Sequence, residues 1–176
     1  MPLYSFEGRS PQIDPSAFVA PSADLIGDVV VEAGASIWYN TVLRADLSPV
    51  IVRAGANVQD GSVLHSQPDM PTEVGVNVTI GHVCVIHSAT LGEGCLIANG
   101  TTILDGAVIG AGTLVAAGSL VTAGTQIPEG MLVTGVPAQV KRPVAGTSAE
   151  FMLKENPRFY AELARRHRDG VIAIAP

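Results

Sequence analysis

The sequence predicts an all-β solenoid, a parallel β-helix of hexapeptide repeats, followed by a C-terminal α-helix. Three observations carry the prediction. Aliphatic residues recur every six positions at Leu91, Ile97, Ile103, Ile109, Val115, Val121, Ile127 and Val133. Glycines sit three positions after the first six of them, at Gly94, Gly100, Gly106, Gly112, Gly118 and Gly124. The 19 glycines and 5% aromatic residues suit turns and small side chains more than a bulky core. A helix needs a period near 3.6 and an ordinary strand a period of 2. A period of six means one short strand and one turn per hexad, with the aliphatic inside and the stacked coils sharing one apolar column.

The elements follow in order. Residues 1 to 24 read as a lead-in, because Pro2, Pro11, Pro15 and Pro21 hinder a helix. Short extended pieces such as Phe18 to Ala20 are expected there. The repeat starts at Leu25 and continues through Ile37, Leu43, Val52, Val58, Leu64, Val74, Ile80 and Ile86. Its phase breaks three times. Three extra residues fall between Leu43 and Val52, and four between Leu64 and Val74 around Pro68 to Pro71. One residue is lost between Ile86 and Leu91. The two insertions are expected as loops on the corners of the prism, where solenoids tolerate them. The solenoid ends near Pro137 to Pro143, so residues 1–145 form the β-helix domain and 146–176 a helical segment. Thr147 or Ser148 caps one helix and Pro157 breaks it, while Asn156–Pro157 starts a second. Phe159, Tyr160, Leu163 and Ala164 are its apolar stripe. This helix should lie along the prism and cover the exposed edge of the stack. Residues 170 to 176 read as a loose tail.

Composition excludes several classes of function. Lys plus Arg is 10 and Asp plus Glu is 16, a net charge of −6 with no basic run. That argues against nucleic-acid binding driven by phosphate contacts. No apolar run approaches the length of a membrane span. The start, MPLYSFEG, lacks a basic segment followed by an apolar one, as a signal peptide would need. A cytoplasmic protein is the expectation. Cys84 and Cys95 form no metal-type pair and read as small packing residues.

Histidine is a metal ligand, a general base or a pH switch, and three of the four lie between His65 and His87. Their spacing of seventeen and five matches no helical metal motif. The repeat register explains them. In the left-handed form that hexapeptide-repeat proteins adopt, three hexads make one triangular coil. His65 follows Leu64 and His87 follows Ile86, one coil apart once the loop is discounted. The two then sit about 4.8 Å apart along the stack. Arg44 follows Leu43 and extends the same column. Gln59 and Asp60 stand one coil from His82 on the next face. Two histidines of one column do not make a tetrahedral site, and His82 of the same chain lies around a corner. A neighbouring chain supplies His82 if three prisms pack around a threefold axis. Three neutral imidazoles with an open fourth position suit catalytic Zn²⁺, and also accept Fe²⁺ or Co²⁺. His167 reads as a solvated residue of an Arg-rich helix.

The segments LRAD (Leu43 to Asp46), NVQDGSVLH (Asn57 to His65) and IGHVCVIH (Ile80 to His87), with the hexapeptide run, resemble the γ-class carbonic anhydrases. The resemblance covers roughly residues 10 to 145. It implies a left-handed β-helix homotrimer with a metal between subunits, ligated by His65, His82 and His87. It implies structural roles for Arg44, Asp46 and Asp60, and a place for Gln59 beside the water at the metal. The activity implied is interconversion of CO₂ and bicarbonate, in which a metal brings the pKa of its water to about 7. Asn99, one coil beyond His82, and Tyr160, which resembles a C-terminal tyrosine of some relatives, are candidates for the cavity. Founding members carry a glutamate directly after the Arg-x-Asp segment and another on a long acidic loop. Here Leu47 takes the first place and the loop from Gln67 to Glu73 is short, so slow proton export and slow turnover are expected. Two other readings stand beside this one. A hexapeptide acyltransferase would use one histidine as general base. A non-catalytic metal-bearing scaffold, like the relatives labelled ferripyochelin-binding, would need no shuttle.

Overall fold

The computed structural model describes residues 2–174, which wind into about seven left-handed coils and end in one helix, α1 (Ser148–Gly170). Each coil contributes one strand to each of three faces. The first face stacks Leu3–Tyr4, Asp24–Val31, Val42–Val52, Val63–His65, Val85–His87, Thr102–Ile103 and Leu120–Val121. The second carries Gln12–Ile13, the ends of the two long strands, then Thr72–Val74, Thr90–Leu91, Val108–Ile109 and Gln126–Ile127. The third carries Phe18–Val19, Ser36–Ile37, Asn57–Val58, Thr79–Ile80, Leu96–Ile97, Leu114–Val115 and Met131–Gly135. Pairing between successive coils is parallel throughout, as a solenoid requires.

The six-residue period is visible in the packing. Every aliphatic of the repeat, from Leu25 to Val133, belongs to one buried cluster inside the prism. Burying a side chain of this size is worth about 1.5–3 kcal/mol, and the column is continuous through all coils. The corners explain the glycines. Gly94, Gly100, Gly106, Gly112, Gly118 and Gly124 all hold φ between 61° and 70°. That left-handed conformation costs a residue with a Cβ about 1–2 kcal/mol.

Four expectations are corrected. The lead-in is already solenoid, since Leu3–Tyr4 and Gln12–Ile13 pair with the strand Asp24–Val31, and Phe18–Val19 with Ser36–Ile37. Pro2 precedes the first of these strands, and Pro11, Pro15 and Pro21 fall between strands. The three extra residues after Leu43 do not form a corner loop. Val42–Val52 is one strand of 11 residues that runs through the corner beside Asp24–Val31, with a register shift between Gly27 and Val29. Gly27, at φ 77°, permits this, because a Cβ there would stand 2.4 Å from the Ala45 carbonyl oxygen. Ser66 holds the unpaired stretch: Ser48 N–H donates to its Oγ at 3.2 Å, and that hydroxyl donates to the Ser48 carbonyl at 2.6 Å. The four extra residues near Pro68 do form a loop, closed by a bridge between Gln67 and Met70.

The third correction concerns the helix. One helix spans Ser148 to Gly170 with Pro157 inside it, where two helices meeting at Pro157 were expected. Thr147 is the N-cap and accepts from Ala149 N–H at 3.2 Å. Proline inside a helix removes one hydrogen bond at about 3 kcal/mol. Burial offsets it: Leu153, Pro157 and Ala164 face the prism and are buried. The fourth correction is where α1 lies. It runs along the third face, against Phe18–Val19, Ser36–Ile37, Asn57–Val58 and Thr79–Ile80. The edge of that face at the C-terminal end of the stack is covered by Ala138–Pro143, which pairs antiparallel with Met131–Gly135. Of the expected tail, residues 171–174 have no regular structure and 175–176 lie outside the described residues. No helix among the described residues is long and apolar enough to cross a membrane.

Candidate metal centre

The predicted columns exist. Arg44 pairs with His65, and His65 with His87, on adjacent coils of the first face. Outward positions alternate along these strands, so Val63 and His65 point the same way, as do Val85 and His87. His65 Nδ1 lies 3.0 Å from His87 Nε2. Each ring is held from behind. His65 Nε2–H donates to Asp46 Oδ1 at 2.9 Å, and His87 Nδ1–H donates to Asp105 Oδ1. Arg44 Nη1 donates to Asp46 Oδ2. Burial works to raise the Asp46 pKa, but the bonds from His65 and Arg44 outweigh it and hold the carboxyl below the usual carboxylate range.

These bonds fix the proton positions. A carboxylate only accepts, so each outer imidazole nitrogen carries a hydrogen. The two inner nitrogens therefore present lone pairs to each other across 3.0 Å. Two lone pairs repel at that distance, and a cation between them, a proton or a metal ion, removes the repulsion. Two imidazoles on one tetrahedral ion at about 2.0–2.1 Å would stand roughly 3.3 Å apart. The donor set and its spacing thus fit a divalent metal. A carboxylate behind each histidine is the support that metal-ligating imidazoles usually have.

One chain offers only this pair. Among the described residues, no three His, Cys, Asp or Glu side chains converge to hold a metal. His82 sits in the corner turn that precedes strand Val85–His87, at the opposite end of the first face. Its Nδ1 lies 3.0 Å from Asp60 Oδ2. Hydrogen bonds from Gly61 N–H to the Tyr39 carbonyl, from Val83 N–H to that of Asp60 and from Gly100 N–H to that of His82 stack these corners. Tyr39, Asp60, His82 and Asn99 thus form a column on this corner. Asn99 Oδ1 accepts the backbone N–H of His82 at 3.0 Å. Gly81 keeps that position open, because a Cβ there would lie 2.4 Å from Asn99 Oδ1. Asn99 accordingly props His82, with its amide turned to the backbone.

Gln59 is buried. Its Nε2 donates to Asn57 Oδ1 at 3.1 Å, and Asn57 Nδ2 donates to Thr79 Oγ1 at 2.9 Å. Tyr160 packs edge-on against Trp38 with ring centroids 5.3 Å apart. Burial, and then the charge of Asp60, push its phenol pKa up. Tyr160 therefore stands near the His82 corner. His167 is not the solvated residue expected. It lies half-buried among Phe18, Trp38 and Tyr39, and shares a hydrogen bond of 3.1 Å with Tyr39 Oη. The partner lies 128 residues away in sequence, which no local pattern reveals. Asp105 was also missed. The lost residue between Ile86 and Leu91 was the available signal, because it marks the corner above which Asp105 stands.

The surface between the histidines is apolar. Val63 and Val85 are 38% and 40% exposed, and Val83 is 67% exposed. Val83 holds φ 58°, a left-handed conformation rare for a β-branched residue.

A left-handed solenoid of hexads with imidazoles stacked on one face defines a hexapeptide-repeat protein. A family profile described as bacterial transferase hexapeptide (six repeats) matches residues 88–123. The chain is 40% identical to the carnitine operon protein CaiE of Proteus sp. (strain LE138), over 100% of this chain and 89% of that one. It belongs to the hexapeptide-repeat transferase family, as its likeness to a solved member of that family shows. A carbonic anhydrase of Geobacillus kaustophilus is 44% identical over 101 residues, 57% of this chain and 56% of that one. A hexapeptide transferase family protein from Anaplasma phagocytophilum superimposes with a TM-score of 0.89 at 39% identity, covering 93% of this chain and 96% of its own. A Bacillus cereus protein provisionally assigned as an acetyltransferase gives 0.93 at 38%, covering 95% and 96%.

Proposed function

We propose that this protein is a γ-type carbonic anhydrase, interconverting CO₂ and bicarbonate at a Zn²⁺ site shared between the subunits of a homotrimer. One observation carries the reading: the facing nitrogens of His65 and His87, 3.0 Å apart, each with a carboxylate behind it. In this reading His82 of a neighbouring chain is the third ligand. A divalent cation held there, Zn²⁺ or alternatively Fe²⁺ or Co²⁺, supplies the Lewis acidity that makes water nucleophilic near neutral pH.

The chain's own residues supply the rest. Asp46 and Asp105 hold the two rings in the tautomers that leave their inner nitrogens free. Asp60 and Asn99 orient the His82 corner. Val63, Val83 and Val85 make an apolar wall suited to a small nonpolar gas and to contact with a second subunit. Gln59 keeps an amide oxygen near that corner while its nitrogen is committed to Asn57. Leu47 is 48% exposed beside Asp46, where it accepts no proton. Arg44 is proposed to meet Asp60 of the neighbouring subunit. A cytoplasmic location belongs to the same reading, and neither nucleic acid nor membrane is a partner.

The likeness to a carbonic anhydrase over part of the chain supports this assignment. The test is CO₂ hydration by protein purified with and without air, normalised to metal per chain. Activity that follows metal content and vanishes in His65→Ala and His87→Ala supports the reading. A fully metallated protein without hydration activity overturns it.

A second reading is favoured by the transferase profile and the acetyltransferase-assigned structure. There the protein transfers an acyl group, with an exposed histidine such as His82 as general base. Saturable binding of acetyl-CoA to the metal-free protein would favour it. A metal-bearing scaffold without catalysis, of the siderophore-binding kind, predicts metal with neither activity.

A further inference from the structure

We infer that Asp105 is a positioning residue, which fixes His87 in the Nδ1–H tautomer and so turns its Nε2 lone pair toward His65. The inference rests on the metal-site reading above. Neither the repeat register nor the resemblance marks Asp105. The ladder that pairs Ile86 with Ile103 puts Leu104, not Asp105, level with His87.

The phase break brings Asp105 into reach. The corner after His87 is one residue short, and Ser88 takes φ 45° to close it. Gly106 N–H donates to the Ser88 carbonyl at 2.7 Å, so the Asp105–Gly106 turn stacks directly on this tightened corner. Asp105 then accepts from His87 Nδ1.

Its charge is not shared. Asp46 behind His65 is also bound by Arg44, whereas the one ion-pair partner of Asp105 among the described residues is His87. The full carboxylate acts on a single imidazole. A solvated histidine prefers its proton on Nε2, which would close the nitrogen that the site needs. An acceptor at Nδ1 reverses that preference and makes the ring a better donor.

The test uses the full chain. ¹⁵N imidazole shifts report the His87 tautomer in the metal-free protein, assigned by comparison with His87→Gln. Zinc affinity is measured by competition with a chromophoric chelator. The wild type should show Nδ1–H, and Asp105→Ala should move the population to Nε2–H and weaken zinc about 10–100-fold. Asp105→Glu should restore part of both, and Asp105→Leu keeps the size of the side chain without an acceptor should the alanine variant fail to fold. A purely structural role in the turn would lower the melting temperature and leave the tautomer unchanged. Wild-type His87 with no hydrogen on Nδ1, or an acceptor-free variant at Asp105 that keeps both tautomer and affinity, would overturn the inference. A wild type that binds no zinc, with a tautomer that still follows Asp105, would sink the metal reading and leave the positioning role intact.

Discussion

Two imidazole nitrogens facing each other at 3.0 Å cannot both stay unprotonated and unliganded. That pair was legible because register is arithmetic: His65 and His87 each follow an inward aliphatic, and the coil length aligns them. Leu47 follows from the same segment. If no group beside Asp46 exports protons, imidazole buffer should raise CO₂ turnover several-fold, and Leu47→Glu should reduce that dependence. Stopped-flow rates against buffer concentration decide, and native turnover indifferent to buffer contradicts the idea. The cysteines behave as packing residues. Both thiols are buried, with Sγ of Cys84 directed at the Ala98 carbonyl and Sγ of Cys95 at that of Gly110. Burial pushes Cys95 up to about 11. The folded state thus keeps its proton where the unfolded thiol, near 9, loses it. This contribution to stability is fully present below pH 9 and is lost as pH rises toward 11. Native protein should leave both thiols unreactive to a disulfide reagent at neutral pH, and label two per chain only when unfolded. Rapid labelling of native protein would contradict their burial.

At the scale of elements, every aliphatic that the period named from Leu25 to Val133 lies in the inward column, because one face of every strand has nowhere else to go. The corners were harder. The strand Val42–Val52 crosses its corner through contacts that no period encodes: a glycine in the preceding coil and a serine in the following one. The crossing matters for the site, since it carries Asp46 to His65. Gly27→Ala should therefore cost more than about 1 kcal/mol, through both φ and the clash with Ala45. Urea denaturation measures it, and a change within error would mean the crossing is soft. The unbroken helix teaches the complementary lesson. Pro157 signals a break only if the helix stands alone, and packing against four strands of the third face overrides it. His167 was misread for the same reason, since its aromatic partners come from the first coils.

At the scale of the molecule, the two halves of the proposed site lie at opposite ends of one face. In the proposed trimer one end of each prism would meet the other end of its neighbour, so that a two-histidine half would face a one-histidine half three times. Arg44 sits one coil from His65, and Asp60 one coil from His82, so the proposed docking would bring Arg44 to the neighbour's Asp60. A pair buried in this way costs about 3–5 kcal/mol when one member is removed, against about 0–1 kcal/mol for solvated charges. Arg44→Ala should shift sedimentation from trimer toward monomer on dilution, with metal lost in parallel. A variant that stays trimeric and fully metallated at high dilution would refute the pairing.

The sharing of the metal between chains is tested most directly by mixing. His65→Ala and His82→Ala chains are each purified, and each should hold almost no zinc. Unfolded together in equal amounts and reassembled, they form trimers in which some neighbours complement. Each site then needs an intact His65 from one chain and an intact His82 from the next, so about one quarter of sites should regain zinc. Metal analysis of the reassembled trimers measures this fraction. Recovery near that value is the result predicted. No recovery in well-folded trimers, or full zinc in either variant alone, would contradict a site built from two chains.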